Sequence, residues 1–354
     1  MSHFSKFYNK IFDYSLKKGK HIYFKDMISF HKTSPNNIIP IMTNHIYQEM
    51  PIRLANRVTD LNDLPFGLSK NHSINKIREK YLDSFDELTS INNPQTPSQV
   101  EEFRSSIETI YNRHSATLTT MSKGLYELQS ENKISPLDAP YIQSFLNRFH
   151  KNRTEIRIIL EQYLSLFKPP LPNHCGIIHL DSNLENILQQ AIDNIQNICD
   201  SNNIDLYLND IFKIQQSKSI TLPTLEHYLY YILFELLKNS IEAVRFKKNP
   251  QITITVENLD ESWVFIKIQD NGHGIEEENL EKIWYYSYTT HPMETQDILE
   301  QDDFSVKSPL SGFGYGLPIS DVYMNFLNSS SNNIKVLSDS NGTSIYLLLR
   351  KYKL

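Results

Sequence analysis

Through the first half of the chain apolar residues recur at helical spacing, as in Ile74, Ile77, Tyr81, Phe85 and Leu88, and again in Ile142, Phe145, Leu146, Phe149, Ile156, Leu160 and Tyr163. Strand-like alternation is scarce there. Only Gly19, Gly67 and Gly124 fall in this half, and polar loops such as NNPQTPSQ (92–99) separate long segments with narrow apolar stripes and charged backs. The pattern predicts an all-α antiparallel helix bundle of the four-helix type over residues 1–168. KPPLPNH (168–174) ends it, because consecutive prolines cannot continue a helix.

A second domain is predicted over 169–354, and its periodicity is mixed. Leu184, Ile187, Leu188, Ala191, Ile195 and Ile198 keep helical spacing, and a further helix is expected over 227–246. QITITVE (251–257) and WVFIKIQ (263–269) alternate as the two strands of a hairpin. Helical signals return near 277–286 and 316–327, and IKVLS (334–338) and TSIYLLLRK (343–351) close the chain around a Gly342 turn. Helices interleaved with mostly adjacent strands predict an α+β two-layer sandwich. Between residues 291 and 311 neither period holds, and Glu294, Asp297, Glu300, Asp302 and Asp303 crowd the stretch. Flanked by glycine clusters, a long connection of this kind reads as a mobile lid, placed at about 287–313, over a solvated loop.

Composition narrows the function. The 354 residues suit two domains, and 40% hydrophobic content supports real cores. A net charge of −6 provides no broad basic field, so nucleic acid and anionic membranes are not expected partners, and any acidic partner must be met locally. Cys175 and Cys199 lack metal-ligand or redox spacing and read as reduced packing residues. No run of 18 apolar residues occurs, which argues against a membrane-spanning helix. Lys6, Lys10, Lys17, Lys18 and Lys20 against Asp13 alone are compatible with organelle import.

The chemistry gathers in three blocks. Five of the ten glycines lie in DNGHGI (270–275) and SGFGYGLP (311–318), downstream of the helix-like ELLKNSIEAV (235–244). Glycine clusters allow sharp turns and close approach to a ligand, and phosphates are the usual ligand for such loops. Glu235 and Asn239 lie one helical turn apart. Asn239 offers a neutral amide oxygen that can hold Mg2+ beside a polyphosphate, or is simply a polar residue on a wet face. Glu235, set among Leu233, Phe234, Leu236 and Leu237, can accept a proton from an attacking hydroxyl, or is a surface charge. Lys238 either supplies charge to a phosphate or is solvated. Asp270 ends a strand and suits an exocyclic amine such as that of adenine, with Gly272 and Gly274 removing side chains where the base approaches; alone, DNG reads as a hairpin turn. Gly312, Gly314 and Gly316 precede a helix-compatible segment whose first amides can hold phosphate oxygens. The order of the blocks indicates a nucleoside triphosphate site.

In this order the blocks resemble the N, G1 and G2 boxes of the GHKL superfamily, and most closely those of the mitochondrial protein kinases, the pyruvate dehydrogenase kinases and branched-chain ketoacid dehydrogenase kinases. ELLKNSIEA, DNGHG, WYYSYTTHP (284–292) and GFGYGLPIS (312–320) correspond to that family's ELxKNAMRA, DxGGG, SYxYSTAP-like and GFGYGLPIS segments. MPIRLANRVTDLNDLPFGLS (50–69), IREKYLDSFDEL (77–88), NRHSATLTTMSKG (112–124) and FLNRFHKNRTEIRIIL (145–160) extend the likeness into the first domain. The resemblance implies a GHKL (Bergerat) ATP-binding fold and an ATP- and Mg2+-dependent protein serine kinase. Its target would be the decarboxylase alpha subunit of pyruvate dehydrogenase, in the mitochondrial matrix. It further implies docking on the lipoyl-bearing core of the complex and a homo- or heterodimer with a related kinase. Glu235 would be the base, with Lys238 beside it, and Asn239 the Mg2+ ligand. Asp270, Gly272 and Gly274 would meet adenine. Thr289, Thr290, Ser311, Gly312, Phe313, Gly314, Tyr315, Gly316, Leu317 and Thr343 would line the ribose and phosphates. A regulator pocket for small 2-oxoacids would map to Leu54, Tyr81, Ser84, His114, Arg153, Ile156 and Arg157, where Arg153 and Arg157, one turn apart, either clamp a carboxylate or form a solvated basic face.

Several positions depart from the family pattern: Glu242 stands for an arginine, Tyr231 for a histidine, His273 for a glycine, and Tyr111 for an arginine of the regulator pocket. The longer tail of many relatives is also expected to be lacking after Leu354. Alternative readings are a branched-chain ketoacid dehydrogenase kinase, a sensor histidine kinase, for which His31, His114 and His150 lack the expected setting, and a non-catalytic ATP-binding regulator of a partner kinase.

Overall fold

The structure, a computed structural model, describes residues 3–354 except Phe66, 133–134, Pro136, Asp138, Asp205, Ser217 and 291–313. The described chain divides into two compact units, with the break between Pro170 and Leu171. One early segment, Tyr23–Ser29, belongs to the second unit.

The first unit is helical: α1 (His3–Ser15), α3 (Pro35–Asn62), α4 (His72–Ser90), α5 (Pro97–Arg113), α6 (Thr117–Asn132) and α7 (Pro140–Ser165). Local chemistry sets the starts. The Asn71 side chain accepts from the Ile74 amide to cap α4, and Thr96 with Gln99 forms a capping box ahead of Pro97 at the start of α5. Helix α3 packs on α1, α4 and α7, α4 on α6, and α5 on α7. The periodic residues of the sequence, including Tyr81, Phe85, Phe145, Phe149 and Tyr163, are all buried.

The second unit holds α2 (Phe24–Ser29), β1 (His174–Cys175), β2 (Ile178–Asn183), α8 (Leu184–Ser201), α9 (Leu208–Ile211), β3 (Phe212–Gln216), β4 (Thr221–Thr224), α10 (Glu226–Val244), β5 (Ile252–Asn258), β6 (Trp263–Asp270), α11 (Gly316–Asn328), β7 (Ile334–Asp339) and β8 (Gly342–Arg350). Five strands form a mixed sheet in the order β3-β5-β6-β8-β7, with β3 parallel to β5 and the remaining pairs antiparallel. A small second sheet has the order β1-β2-β4. Ile252, Ile254 and Val256 on β5, Val264, Ile266 and Ile268 on β6, and Ile345, Leu347 and Leu349 on β8 are buried, an alternation that gives the sheet one apolar face. Helix α10 packs on α8 and α11 and lies on β6 and β8, and α11 also lies on β8. Phe24 of α2 contributes an edge-to-face ring pair with Tyr352, 5.4 Å between centroids.

Three features differ from the sequence expectation. Near 277–286 there are two short 3-10 turns, Glu277–Asn279 and Lys282–Trp284, instead of a helix. Extended backbone at Glu276 and at Tyr285 brackets the segment and leaves only a short span between them. Strands β1 to β4 were not foreseen. The pair β1 and β4 lies at the margins of a small sheet, and β4 carries Pro223, which is tolerated on an edge strand. Strand β3 is also an edge and mostly exposed, so it lacks a strong alternation. Helix α2, counted with the bundle by sequence, belongs to the sheet unit. Among the described residues no helix is long and apolar enough to cross a membrane.

The end of α11 is tied to β8 by Asn328, which is fully buried, donates to the Leu348 carbonyl (2.5 Å) and accepts from the Arg350 amide (2.8 Å). Replacing it with Ala leaves a part-buried carbonyl and amide without this partner. Asn328→Ala is expected to cost about 2 to 4 kcal/mol in denaturant unfolding, and an unchanged midpoint would exclude this tie as a stabilising element.

Candidate functional site

Helix α10 buries Leu229, Ile232, Leu233, Leu236, Leu237, Ile241 and Val244, so its remaining positions fall on one stripe. Glu235, Lys238, Asn239 and Glu242 occupy that stripe at spacings of three and four and line a cavity of about 470 Å3. The size is that of a small-molecule site. Glu235 is only 8% exposed and Lys238 2%, and the ammonium donates to Glu235 Oε1 at 2.9 Å. Lys238 is therefore buried and paired, which excludes its solvated reading. Asn239 is exposed to the cavity.

Across the cavity, the turn after β6 is held by Asp270. Its Oδ1 accepts from the amides of Gly272 (2.9 Å) and Thr343 (3.1 Å), which ties the turn to β8. Burial pushes the Asp270 carboxyl up from its ordinary value, and these amide bonds oppose the shift. Ser338 completes the corner: its hydroxyl accepts from the Ile275 amide (2.8 Å) and lies 2.8 Å from the Thr343 hydroxyl. Gly274 has φ +76°, and a Cβ there would lie 1.7 Å from the Asp339 carbonyl oxygen. No other residue fits.

The third wall is the start of α11. A Cβ on Gly316 would lie 2.3 Å from Glu235 Oε2, so glycine lets the first turn of α11 approach the carboxylate. The amides of a helix start are anion donors.

Of the residues singled out by sequence, Glu235, Lys238, Asn239, Asp270, Gly274, Thr289, Thr290, Gly314, Gly316, Leu317 and Thr343 all line this one cavity. Gly272 sits behind it, against Ala243. The Tyr315 side chain is buried, edge-to-face on Tyr286 at 5.4 Å, and only its backbone stands at the helix start. Ser311, Gly312, Phe313 and the greater part of the expected lid lie outside the described residues. Sequence reasoning missed the apolar walls Ile275, Ile283, Val336 and Ile345. Strand alternation could have supplied two of them, since Ile345 shares a face with Thr343 and Val336 pairs with Ile345 in register.

The residues expected to form a regulator pocket lie in the first unit. The rings of Tyr81 and His114 are 4.3 Å apart, and Ser84 Oγ is 3.0 Å from His114 Nε2. Leu54 and Ile156 are buried in the same bundle. The two arginines are engaged by protein groups: Arg153 donates to the Ser115 carbonyl (3.4 Å), and Arg157 lies 4.2 Å over the Tyr111 ring. Arg153, 8% exposed, is no part of a solvated face. Ser84 also accepts from Arg113 (2.9 Å), whose guanidinium pairs with Glu87 (2.7 Å). Burial, aided by Arg153, Lys80, Arg113 and Arg157, pushes the His114 imidazole down to about 3. Burial, with Arg153, does the same to His150, also to about 3.

Comparisons with known proteins find matches in both halves of the chain. Residues 21–179 match the family described as mitochondrial branched-chain alpha-ketoacid dehydrogenase kinase, and residues 224–353 match the histidine kinase-, DNA gyrase B-, and HSP90-like ATPases. The mitochondrial [pyruvate dehydrogenase (acetyl-transferring)] kinase isozyme 3 of Mus musculus is 30% identical over 293 residues, 79% of this chain and 69% of its own. The Arabidopsis thaliana mitochondrial [pyruvate dehydrogenase (acetyl-transferring)] kinase is 29% identical over 338 residues, 92% of this chain and 88% of its own. Its Ascaris suum counterpart is 29% identical over 314 residues, 85% and 76% respectively.

Two outcomes are expected. Gly274→Ala should destabilise the protein by more than about 2 kcal/mol, because it combines left-handed strain with a backbone clash, and a wild-type melting curve would contradict that fit. His114 and His150 are neutral when folded and take up protons near pH 6.5 when unfolded, so each contributes stability above pH 6.5 that is lost as pH falls toward 3. Unfolding measured from pH 7 to 4 should weaken by up to about 1.4 kcal/mol per unit for each histidine, and His150→Gln should flatten that slope.

Proposed function

The chain belongs to the mitochondrial pyruvate dehydrogenase kinase family of the GHKL superfamily and is a protein kinase of that type, and from this we propose that it phosphorylates a serine on the decarboxylase alpha subunit of pyruvate dehydrogenase in the mitochondrial matrix. The phosphorylation would switch the complex off. Use of ATP follows from the ATPase family of residues 224–353, and Mg2+ is part of the proposal. The observation that carries it is the convergence of Glu235, Asn239, Asp270 and the start of α11 on one cavity.

The residues present fit the nucleotide and its metal. Asp270, fixed by two amides, is the acceptor for an exocyclic amine, and Ile275, Val336 and Ile345 form apolar walls for a base. Asn239 would hold Mg2+ through its amide oxygen, and the metal, when bound, neutralises charge between the outer phosphates. The first amides of α11 would receive phosphate oxygens, in room left by Gly316. Glu235 takes the proton from the acceptor serine as its oxygen bonds to the γ-phosphorus and the bridging oxygen leaves with ADP. Lys238, 2.9 Å away, fixes the position of that carboxylate. Positioning and charge stabilisation are what phosphoryl transfer chiefly requires.

Docking on the lipoyl-bearing core of the complex and a homo- or heterodimer belong to the same proposal. The branched-chain description matched by residues 21–179 favours, as the second reading, a branched-chain 2-oxoacid dehydrogenase as target.

With Mg-ATP and recombinant pyruvate dehydrogenase, the purified chain should label a serine of the decarboxylase. Asn239→Ala should abolish ATP binding by calorimetry, while Glu235→Gln should bind ATP and lose transfer by about 10² to 10⁴. Undiminished transfer by Glu235→Gln would remove the base, and label on the branched-chain decarboxylase alone would select the second reading.

A further inference from the structure

Helix α10 ends in a basic and aromatic tip, Arg245-Phe246-Lys247-Lys248, that the nucleotide site does not use. Phe246 is 83% exposed, the most exposed of the large apolar side chains among the described residues. The Arg245 guanidinium lies 4.4 Å from the ring centroid and pairs with Glu242 at 2.9 Å. Glu242 itself lines the nucleotide cavity, so cavity wall, arginine and phenylalanine form one continuous ladder.

The tip is also anchored. The Lys247 amide closes a turn on the Val244 carbonyl (2.8 Å). Behind it, the Asn271 side chain donates to the Asn249 carbonyl (2.8 Å) and accepts from the Gln251 amide (2.9 Å), and the Asn271 amide bonds the Gln251 carbonyl (3.1 Å). Asn271 follows Asp270 in the glycine turn, so the loop that presents Phe246 is fastened to the turn that shapes the cavity. Cations past a helix C-terminus complement its dipole, which accounts for the lysines. It does not account for an aromatic ring left in water beside them. Among the described residues neither Lys247 nor Lys248 has a carboxylate partner.

We propose that Phe246, Lys247 and Lys248 form a docking point for an acidic segment, bearing an apolar side chain, of the protein acceptor. The inference rests on the kinase reading above and adds to it a surface that recognises the acceptor. Charge selects the occupant. The chain carries a net charge of −6 and repels an acidic partner at a distance, so contact depends on a local cluster of positive charge, and this one adjoins the nucleotide cavity. The ring supplies apolar area at small entropic cost, with the Arg245 guanidinium held against it.

The test is steady-state phosphorylation of recombinant pyruvate dehydrogenase decarboxylase by the full chain, with ATP affinity measured separately by calorimetry. The double variant Lys247→Glu/Lys248→Glu should raise KM for the decarboxylase about tenfold and Phe246→Ala about threefold, with ATP affinity unchanged. The wild-type KM should climb with salt, and the double variant should lose that dependence. An unchanged decarboxylase KM and salt profile in the double variant would overturn the docking point while leaving the kinase reading intact. A wild-type chain that binds ATP but never labels the decarboxylase overturns both. Sedimentation with phosphatidylserine vesicles, lost in the double variant while KM stays constant, would reassign the tip to a lipid surface.

Discussion

A buried ion pair organises the site. Glu235 and Lys238 are both nearly excluded from water, and two charges survive there because they lie 2.9 Å apart on adjacent turns of α10. The pair fixes the carboxylate's direction, and that direction dictates what can stand opposite. A Cβ at position 316 would lie 2.3 Å from Glu235 Oε2, so a larger residue there would push the carboxylate off its Lys238 partner. Helix α11 begins at Gly316, beside the carboxylate, and Glu235, Asn239 and Gly316 line the same cavity.

A second carboxylate does different work on the far side. Asp270 spends one oxygen on the amides of Gly272 and Thr343, so it joins β6, the glycine turn and β8 in a single corner. Ser338 and Gly274 close that corner against β7. The cavity thus has a rigid polar end, apolar strand walls and a charged helix, a division that suits a base, a sugar and phosphates in turn. Asn271 extends the corner outward and holds the Phe246 loop.

The first unit shows the opposite use of charge. Arg153, Arg157 and Arg113 surround Tyr81, Ser84 and His114, and each guanidinium already meets a protein group: a carbonyl, the Tyr111 ring and Glu87. The Tyr111 ring covers the Arg157 guanidinium at 4.2 Å. Burial keeps His114 and His150 neutral, and the bundle holds its shape around uncharged imidazoles.

Much of this was legible in the residues. Period and proline placed the bundle and its end, because an apolar stripe must find a core and paired prolines stop a helix. Alternation placed β5, β6, β7 and β8, whose inward residues cover helices. Edge strand β3, mostly exposed, left no such trace, β4 is only four residues long, and the 277–286 segment carried helical spacing but forms two short 3-10 turns. For the cavity, the sequence by itself determined which carboxylates, which amide and which glycines are on offer, since side-chain type and local spacing along a helix are properties of the chain alone. Only the tertiary structure decided that Lys238 is a buried partner of Glu235, that Gly316 abuts it, that Val336 and Ile345 form the walls, and that α2 belongs with the sheet. Those facts depend on contacts between segments far apart in the chain, and packing, not spacing, selects them.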